Sequence, residues 1–174
     1  YVIGLSAIDI STGENTVHKI VSSLNDNTLW SDELFRLIHY YSPKECIFHD
    51  EIDLSKDELC NMFQLNEKTI HYNLYESEDF KKPSYQNEYL KKIFDTGFLT
   101  AIEYLGFDEV EMTLSYLYMI QFIHEHKLEN LNHLPKPILK SDEQKLILSN
   151  NTIYQLYLVP NKEHTSEKYN SLLS

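Results

Sequence analysis

Glycine is scarce in this sequence, which holds four glycines among 174 residues: Gly4, Gly13, Gly97 and Gly106. A phosphate-binding loop of the G-x-x-x-x-G-K-[ST] type needs two closely spaced glycines followed by lysine, because its backbone wraps round phosphate oxygens. No two glycines of this chain have that spacing. The 174 residues therefore hold no ordinary P-loop ATPase site.

Cysteine is rarer still. The two cysteines, Cys46 and Cys60, cannot by themselves form a disulfide framework or a four-ligand zinc site. We expect them to be reduced thiols in an intracellular protein.

Long hydrophobic runs and targeting signals are also lacking. The longest nearly apolar stretch, MTLSYLYMIQFI at residues 112–123, is too short to span a bilayer and has acidic neighbours on both sides. The first residues lack a charged region followed by an apolar one, so they do not resemble a signal peptide. The sequence predicts a soluble chain without a membrane partner.

Basic residues are few, with 15 Lys and Arg against 27 Asp and Glu and a net charge of −12. A domain that binds DNA by itself needs a positive surface, because it must displace counterions from the phosphates. We therefore expect no autonomous binding of this chain to DNA.

The first half of the chain has an α/β pattern. Residues 1–21 alternate as a β-hairpin does, with Gly13 and Asn15 at the turn. A helix follows in NTLWSDELFRLIHYYSP, capped by Ser31 and stopped by Pro43; ECIFHD and TIHYNLYE are typical of strands. Between them, LSKDELCNMFQLN begins with a Ser-x-x-Glu capping box. Hairpin, helix, strand, helix and strand predict a central sheet with flanking helices.

The second half is predicted to be more helical. SEDFKKPSYQ is typical of a loop, NEYLKKIFD of a short helix, and DEVEMTLSYLYMIQFIHEHKLENL of a long helix that is apolar nearly all round. The PKP sequence at 135–137 predicts a boundary between a domain at residues 1–136 and a second unit at residues 137–174. In that second unit, KLILSNNTIYQLYLV predicts a strand and a helix, and EKYNSLLS the start of another helix.

Three carboxylates suggest a metal-dependent nuclease as one alternative. Asp9 follows the first strand, Glu33 lies on the first predicted helix, and Asp50 ends a later strand. RNase H-like nucleases hold two metal ions with carboxylates from such positions. Among 27 acidic residues such a pattern also arises by chance, so the sequence assigns no catalytic, cofactor-binding or metal-binding residue.

The histidines do not form a metal motif. His124 and His126 are two residues apart on a predicted helix and therefore point to different faces. We expect both to be solvated at the helix end. His39, His49 and His71 are scattered and have no nucleophilic partner that the sequence can identify.

Several segments, in order, resemble the MutS family of DNA mismatch-recognition ATPases. GLSAIDISTGE resembles the opening hairpin of its connector domain, and ELFRLIHYYSPKECIFHDE the helix and strand that follow. LSYLYMIQFIHEHKLENLNHL is similar to the long helix that closes the connector, and LILSNNTIYQLYL to the start of the core domain. The family's usual Asp is replaced by Ser149 or Asn150, and its Asn-Leu-Glu by Gln155-Leu156-Tyr157. Together with TGFLTAIEYLGFD, this divergence resembles the branch found in large DNA viruses and coral mitochondria.

The resemblance implies an RNase H-like connector domain followed by a truncated, partly helical segment of the core domain. It implies an internal piece of a mismatch repair protein that relays conformational signals between mismatch-binding and ATPase regions and offers a docking surface to a MutL-type partner. The parent would be an ATPase, would bind ATP and Mg²⁺ and mismatched DNA through domains outside this chain, and would form a dimer. No catalysis is expected in the chain itself. A stand-alone interaction module is the other alternative that the sequence leaves open.

Overall fold

The computed structural model describes residues 2–22, 28–49, 54–75, 78–126 and 134–140, and these have a mixed α/β fold. The chain divides into two units, Tyr1–Ser141 and Asp142–Ser174. The second unit, with the strand and helices predicted at residues 145–159 and 167–174, lies outside the described residues.

The predicted hairpin is present. Strand β1, Val2–Ile8, runs antiparallel to strand β2, Asn15–Val21, with Val2 opposite Val21. In the turn, the Gly13 amide donates to the carbonyl of Asp9 over 2.8 Å. Gly13 has φ 76°, in the left-handed region that a residue without a Cβ adopts most readily. Asn15 opens β2 instead of belonging to the turn.

A third strand joins this sheet from the far end of the unit. Strand β5, Ile138–Lys140, lies parallel to β2, which gives the order β1-β2-β5. The sequence places the domain boundary at residues 136/137, before β5. Strand β5 pairs with β2 and belongs to the first compact unit, which ends at Ser141. The division into a domain at residues 1–136 and a second at 137–174 stays a prediction.

The next segment forms a second, smaller sheet. Strand β3, Cys46–Phe48, pairs in parallel with strand β4, Ile70–Tyr72. The helices beside them are α1, Leu29–Tyr41, and α2, Lys56–Phe63. The sequence predicts one central sheet. The described strands form two sheets, since the short strands β3 and β4 hydrogen-bond to each other and not to β1, β2 or β5.

The cap predictions for these two helices had different outcomes. The capping box at α2 is confirmed, with Ser55 Oγ accepting from the Glu58 amide. The cap predicted for α1 is wrong, because the helix begins one turn earlier. Its N-cap is Thr28, and the hydroxyl of Ser31 donates to the Thr28 carbonyl over 2.8 Å.

The second half is more helical than the sequence predicted. A short 3-10 turn at Glu78–Lys81 leads into helix α3, Pro83–Lys91. The turn and the first residues of α3 lie in the segment predicted as a loop, and the rest of α3 coincides with the start of the short helix predicted for NEYLKKIFD. Pro83 suits the first helical position because its fixed φ fits there and its missing N–H costs no hydrogen bond. Helix α4, Ala101–Leu105, and the long helix α5, Val110–Glu125, follow. Among the described helices, none is long and apolar enough to cross a membrane.

Helix α5 is the centre of the larger of two hydrophobic clusters, and a smaller cluster lies between β2, α1 and α2. Leu117 and Ile120 are fully buried, as the apolar pattern predicts, and Ile123 is nearly so. Leu114 is only partly buried and packs at the margin of the cluster.

Strand β1 and helix α5 approach each other with almost no space between their backbones. A Cβ atom added at Gly4 would lie less than 3.0 Å from the carbonyl group of Glu111 and the amide nitrogen of Met112. The hydroxyls of Ser6 and Ser115 are hydrogen-bonded across the same interface over 2.8 Å. Gly4 is therefore required by packing.

The position of β5 leads to a prediction about truncation. A chain that ends at Ser141 should keep the cooperative unfolding of the first unit. A chain that ends at Lys136 loses β5 and the buried Pro137. A loss of about 1–2 kcal/mol would lower Tm by roughly 5 °C. Thermal unfolding of both chains is the measurement, and equal Tm values would show that β5 does not stabilise the unit.

Candidate functional site

The carboxylate of Asp9, first of the nuclease candidates, is already used by the hairpin turn. Its Oδ1 accepts hydrogen bonds from the Ser11 amide over 2.8 Å and from the Ser11 hydroxyl over 2.6 Å. These bonds lower the pKa of Asp9 below its ordinary value. The geometry is that of an Asx turn, in which the side chain stabilises the local backbone.

Glu33 lies in a different environment. It is buried on α1, and its carboxylate lies 3.5 Å from the guanidinium of Arg36 one helical turn away. Asp50 lies outside the described residues. Within the described ranges, no three His, Cys, Asp or Glu side chains come together as metal ligands.

The histidines make hydrogen bonds typical of structural residues. His39 and His49 bond to the carbonyl oxygens of Phe63 and Tyr75 over 3.1 and 2.8 Å. His71 bonds to Glu45 over 2.7 Å. His124 and His126 are exposed at the end of α5, as expected.

The two cysteines lie in different surroundings, and both are free thiols. Burial raises the pKa of Cys46 to about 11, so this thiol stays protonated at neutral pH. Because thiolate is the nucleophilic form, Cys46 is unsuited to nucleophilic catalysis.

These positions support a prediction about catalysis. The chain should not cleave plasmid DNA in Mg²⁺ or Mn²⁺, because Asp9 and Glu33 are engaged in a turn and an ion pair. Agarose-gel analysis of a plasmid incubation is the measurement. Cleavage that disappears in the Asp9→Asn variant would instead establish a nuclease.

A buried polar junction is the most organised site that the structure describes. Asn15, only 2% exposed, lies at the start of β2. Its amide donates to the carbonyl oxygen of Pro135 over 3.0 Å, and its Oδ1 accepts from the hydroxyl of Tyr116 over 3.1 Å. One side chain thus connects the hairpin, helix α5 and the segment that leads into β5.

Burial makes this junction specific. A buried polar group that loses its partner costs about 1–3 kcal/mol, so the buried side chains of Asn15 and Tyr116 hold each other in position. Pro135 itself is exposed, and its hydrogen bond to Asn15 is part-buried. Burial also raises the pKa of Tyr116 above its ordinary value, which keeps the hydroxyl protonated and able to donate. A displacement of the Pro135 segment must therefore move the hairpin and α5 with it or break the hydrogen bond from the Asn15 amide to the Pro135 carbonyl.

Helix α5 is also connected to other elements at its far end. Glu125 accepts from the Tyr75 hydroxyl over 2.9 Å and from the Gln121 amide over 2.7 Å. The Tyr89 hydroxyl of α3 donates to Gln121 over 2.7 Å. The helix therefore links the junction at Asn15 to α3 and to the segment after β4.

The sequence places Asn15 in a turn and carries no signal for this junction. Its members lie 101 and 120 positions from Asn15 along the chain, and a local pattern cannot show such contacts. An asparagine at the start of an apolar strand is the one local feature here, and it does not identify these partners.

Two comparisons with known proteins bear on this arrangement. The family model of MutS domain II matches residues 1–135. The chain is also 29% identical over 196 aligned positions to a putative DNA mismatch repair protein, a mutS homolog of Acanthamoeba polyphaga mimivirus. That alignment covers 99% of this chain but 17% of the relative, so the chain spans about one sixth of the relative's length.

Proposed function

Because this chain belongs to the MutS family through its domain II, we propose that it is the connector of a longer mismatch repair protein. In this proposal it relays conformational change between a mismatch-binding region and an ATPase region and carries out no catalysis. ATP, Mg²⁺ and mismatched DNA are bound by other domains of the parent, which is a dimer. A MutL-type partner docks on the connector.

The single observation that carries the relay is the junction at Asn15. A relay needs its input and output segments attached rigidly to a common element, since a loose attachment absorbs motion instead of passing it on. The buried Asn15 side chain attaches the Pro135 segment to the hairpin through a part-buried hydrogen bond and to α5 through a buried one. Energetic coupling through packed elements of this kind is typically about 1–3 kcal/mol.

The proposal also includes an RNase H-like arrangement of the connector. The mixed α/β fold and the antiparallel opening hairpin support it. A crystal structure in which β3 joins the edge of β1 opposite β2 would establish the arrangement, and one that retains two separate sheets would exclude it.

The relay is tested in the longer protein with a variant that removes one hydroxyl. Tyr116→Phe deletes the donor to Asn15 Oδ1 and preserves the ring. It should retain mismatch binding and basal ATP hydrolysis, while the stimulation of ATP hydrolysis by mismatched DNA falls about fivefold or more. Tyr104→Phe is the matched control, because Tyr104 is partly buried on α4 and no hydrogen bond of its hydroxyl is found among the described residues.

Two outcomes would contradict the relay. Equal stimulation in wild type and Tyr116→Phe would show that the junction does not couple the two regions. If the variant loses both basal ATP hydrolysis and its stimulation by mismatched DNA, the junction has a purely structural role. Sequencing the gene is a further test. If the open reading frame has no mismatch-binding segment and no ATPase segment beside this one, the proposal that the chain belongs to a longer mismatch repair protein is wrong.

The charge of the chain gives a prediction about DNA. With a net charge of −12, the isolated chain should bind duplex DNA no more tightly than a Kd of about 10⁻⁴ M at physiological salt. Gel-shift titration is the measurement. Micromolar binding would show that this domain contacts DNA directly, which contradicts the proposal that only other domains of the parent bind DNA.

A further inference from the structure

The second sheet, formed by β3 and β4, lies against one face of α5 through ring contacts. The ring centroid of His71 on β4 lies 4.8 Å from that of Phe122, and His49, directly after β3, lies 4.6 Å from Tyr118. Tyr75, a few residues after β4, also stacks on Tyr118, at 5.7 Å. Tyr118 and Phe122 are four residues apart on α5 and therefore share a face of the helix.

The chain passes from one hydrophobic cluster to the other just after β4. Phe48 and Tyr72, the last residues of β3 and β4, pack against the smaller cluster, whereas Tyr75 packs against the larger one. Between them, Asn73 has φ 46°, a left-handed conformation that asparagine adopts more readily than most residues. Its amide donates to the Phe48 carbonyl over 2.8 Å. A short, sharply turned segment thus leads from the second sheet to Tyr75.

Tyr75 makes polar contacts in two directions. Its hydroxyl donates to the carboxylate of Glu125 on α5 over 2.9 Å, and its carbonyl accepts from Nε2 of His49 over 2.8 Å. The hydrogen bond from Gln121 lowers the pKa of Glu125, and the one from Tyr75 acts in the same direction, so Glu125 is ionised at neutral pH. Burial raises the pKa of Tyr75, which keeps its hydroxyl protonated. A hydrogen bond to an ionised acceptor is stronger than one between neutral groups.

We propose that Tyr75 is a positioning residue that fixes the second sheet to α5, so that the second sheet follows a movement of this helix. Apolar packing of rings is non-directional, whereas a hydrogen bond to a carboxylate sets a distance and an angle. Without the Tyr75 hydroxyl, the ring contacts remain and permit the small sliding motions typical of packed elements. That the second sheet thereby takes part in the signal relay rests on the proposed function.

The attachment is tested by amide hydrogen exchange of the whole chain at several urea concentrations below the unfolding transition. Tyr75→Phe retains the ring and removes the hydroxyl. The amides of β4 and Asn73 should then exchange about three- to tenfold faster, the effect of losing one hydrogen bond. Their exchange should depend only weakly on urea, because a local opening exposes little surface. The amides of β1 and β2 should retain the steep urea dependence of global unfolding.

Two further variants make the exchange experiment specific. Glu125→Ala removes the acceptor of the same bond and should speed exchange similarly, and combining it with Tyr75→Phe should add little. Tyr89→Phe is the matched control, because it removes a hydroxyl that donates to Gln121 from α3 over 2.7 Å and should leave exchange in β4 unchanged. The proposal is overturned if Tyr75→Phe changes no exchange rate in β4, if Tyr89→Phe has the same effect, or if β4 opens with the same steep urea dependence as β1 and β2.

The consequence for the relay is measured in the longer mismatch repair protein. Tyr75→Phe should leave basal ATP hydrolysis unchanged and lower its stimulation by mismatched DNA about threefold or more. Unchanged stimulation in Tyr75→Phe, beside a loss in Tyr116→Phe, would show that the second sheet has no part in the relay. Unchanged stimulation in both variants would contradict the relay itself, and the exchange rates would still decide whether Tyr75 attaches the second sheet to α5.

Discussion

Gly4→Ala should destabilise the first unit by about 3 kcal/mol or more, at the upper end of what overpacking costs. The added methyl group would meet the Glu111 carbonyl and the Met112 amide nitrogen, which are backbone atoms and cannot rotate away. To make room, α5 would have to move off β1 and disturb the buried Met112. Thermal unfolding should show Tm lowered by roughly 6–12 °C.

Gly97→Ala is the matched control for this variant. Gly97 has open space around the position of a Cβ, but its φ is 58°. The same chemical change therefore costs only the left-handed backbone conformation, about 1 kcal/mol. If Gly4→Ala proves no more destabilising than Gly97→Ala, the close approach of β1 and α5 is not a determinant of stability.

Leu117→Ala should cost about 2–5 kcal/mol, because a fully buried side chain leaves a cavity as well as losing its transfer free energy. Leu117 has no exposed surface and belongs to the cluster around α5. Chemical denaturation should show a lower midpoint with little change in slope, since the surface exposed on unfolding is nearly the same.

The control for Leu117→Ala lies on the same helix. Val110 is 56% exposed at the start of α5, so Val110→Ala should change stability by less than about 0.5 kcal/mol. A cost below about 1 kcal/mol for Leu117→Ala would mean that the cluster around α5 collapses freely around the missing side chain.

Features determined by neighbouring residues could be predicted from the sequence. The hairpin turn follows from Gly13, the capping box of α2 from Ser55 and Glu58, and the burial of α5 from its apolar residues. The turn and the capping box depend on contacts within a few positions, and the apolar pattern of α5 reports which helix must be buried, although not against what. The family resemblance is confirmed by the match to residues 1–135.

Other local signals are present but too weak to predict an element. Helix α4 has a capping box from Thr100 to Glu103 and ends at Gly106 with φ 80°. Its five residues carry too little apolar periodicity for a helix to be predicted. Similarly, α3 begins at Pro83, and a proline among polar residues is equally typical of a loop.

The candidate site could not be predicted, for a different reason. The side chain of Asn15 finds its partners only after the chain has folded, and any strand-opening asparagine has the same local sequence signal. Strand β5 is a similar case. Its three residues pair with β2, which lies more than 115 positions earlier in the chain, and the PKP sequence before them indicates only a break.

The three-stranded sheet brings the entry and exit of the first unit to the same side. Val2 pairs with Val21, and Lys140 lies beside His18 on β2. Two strand spacings and the three-residue offset place these points roughly 14 Å apart. A linker of about five residues would span that distance. The unit therefore suits circular permutation or insertion into a host protein, since both ends would leave the sheet without crossing it.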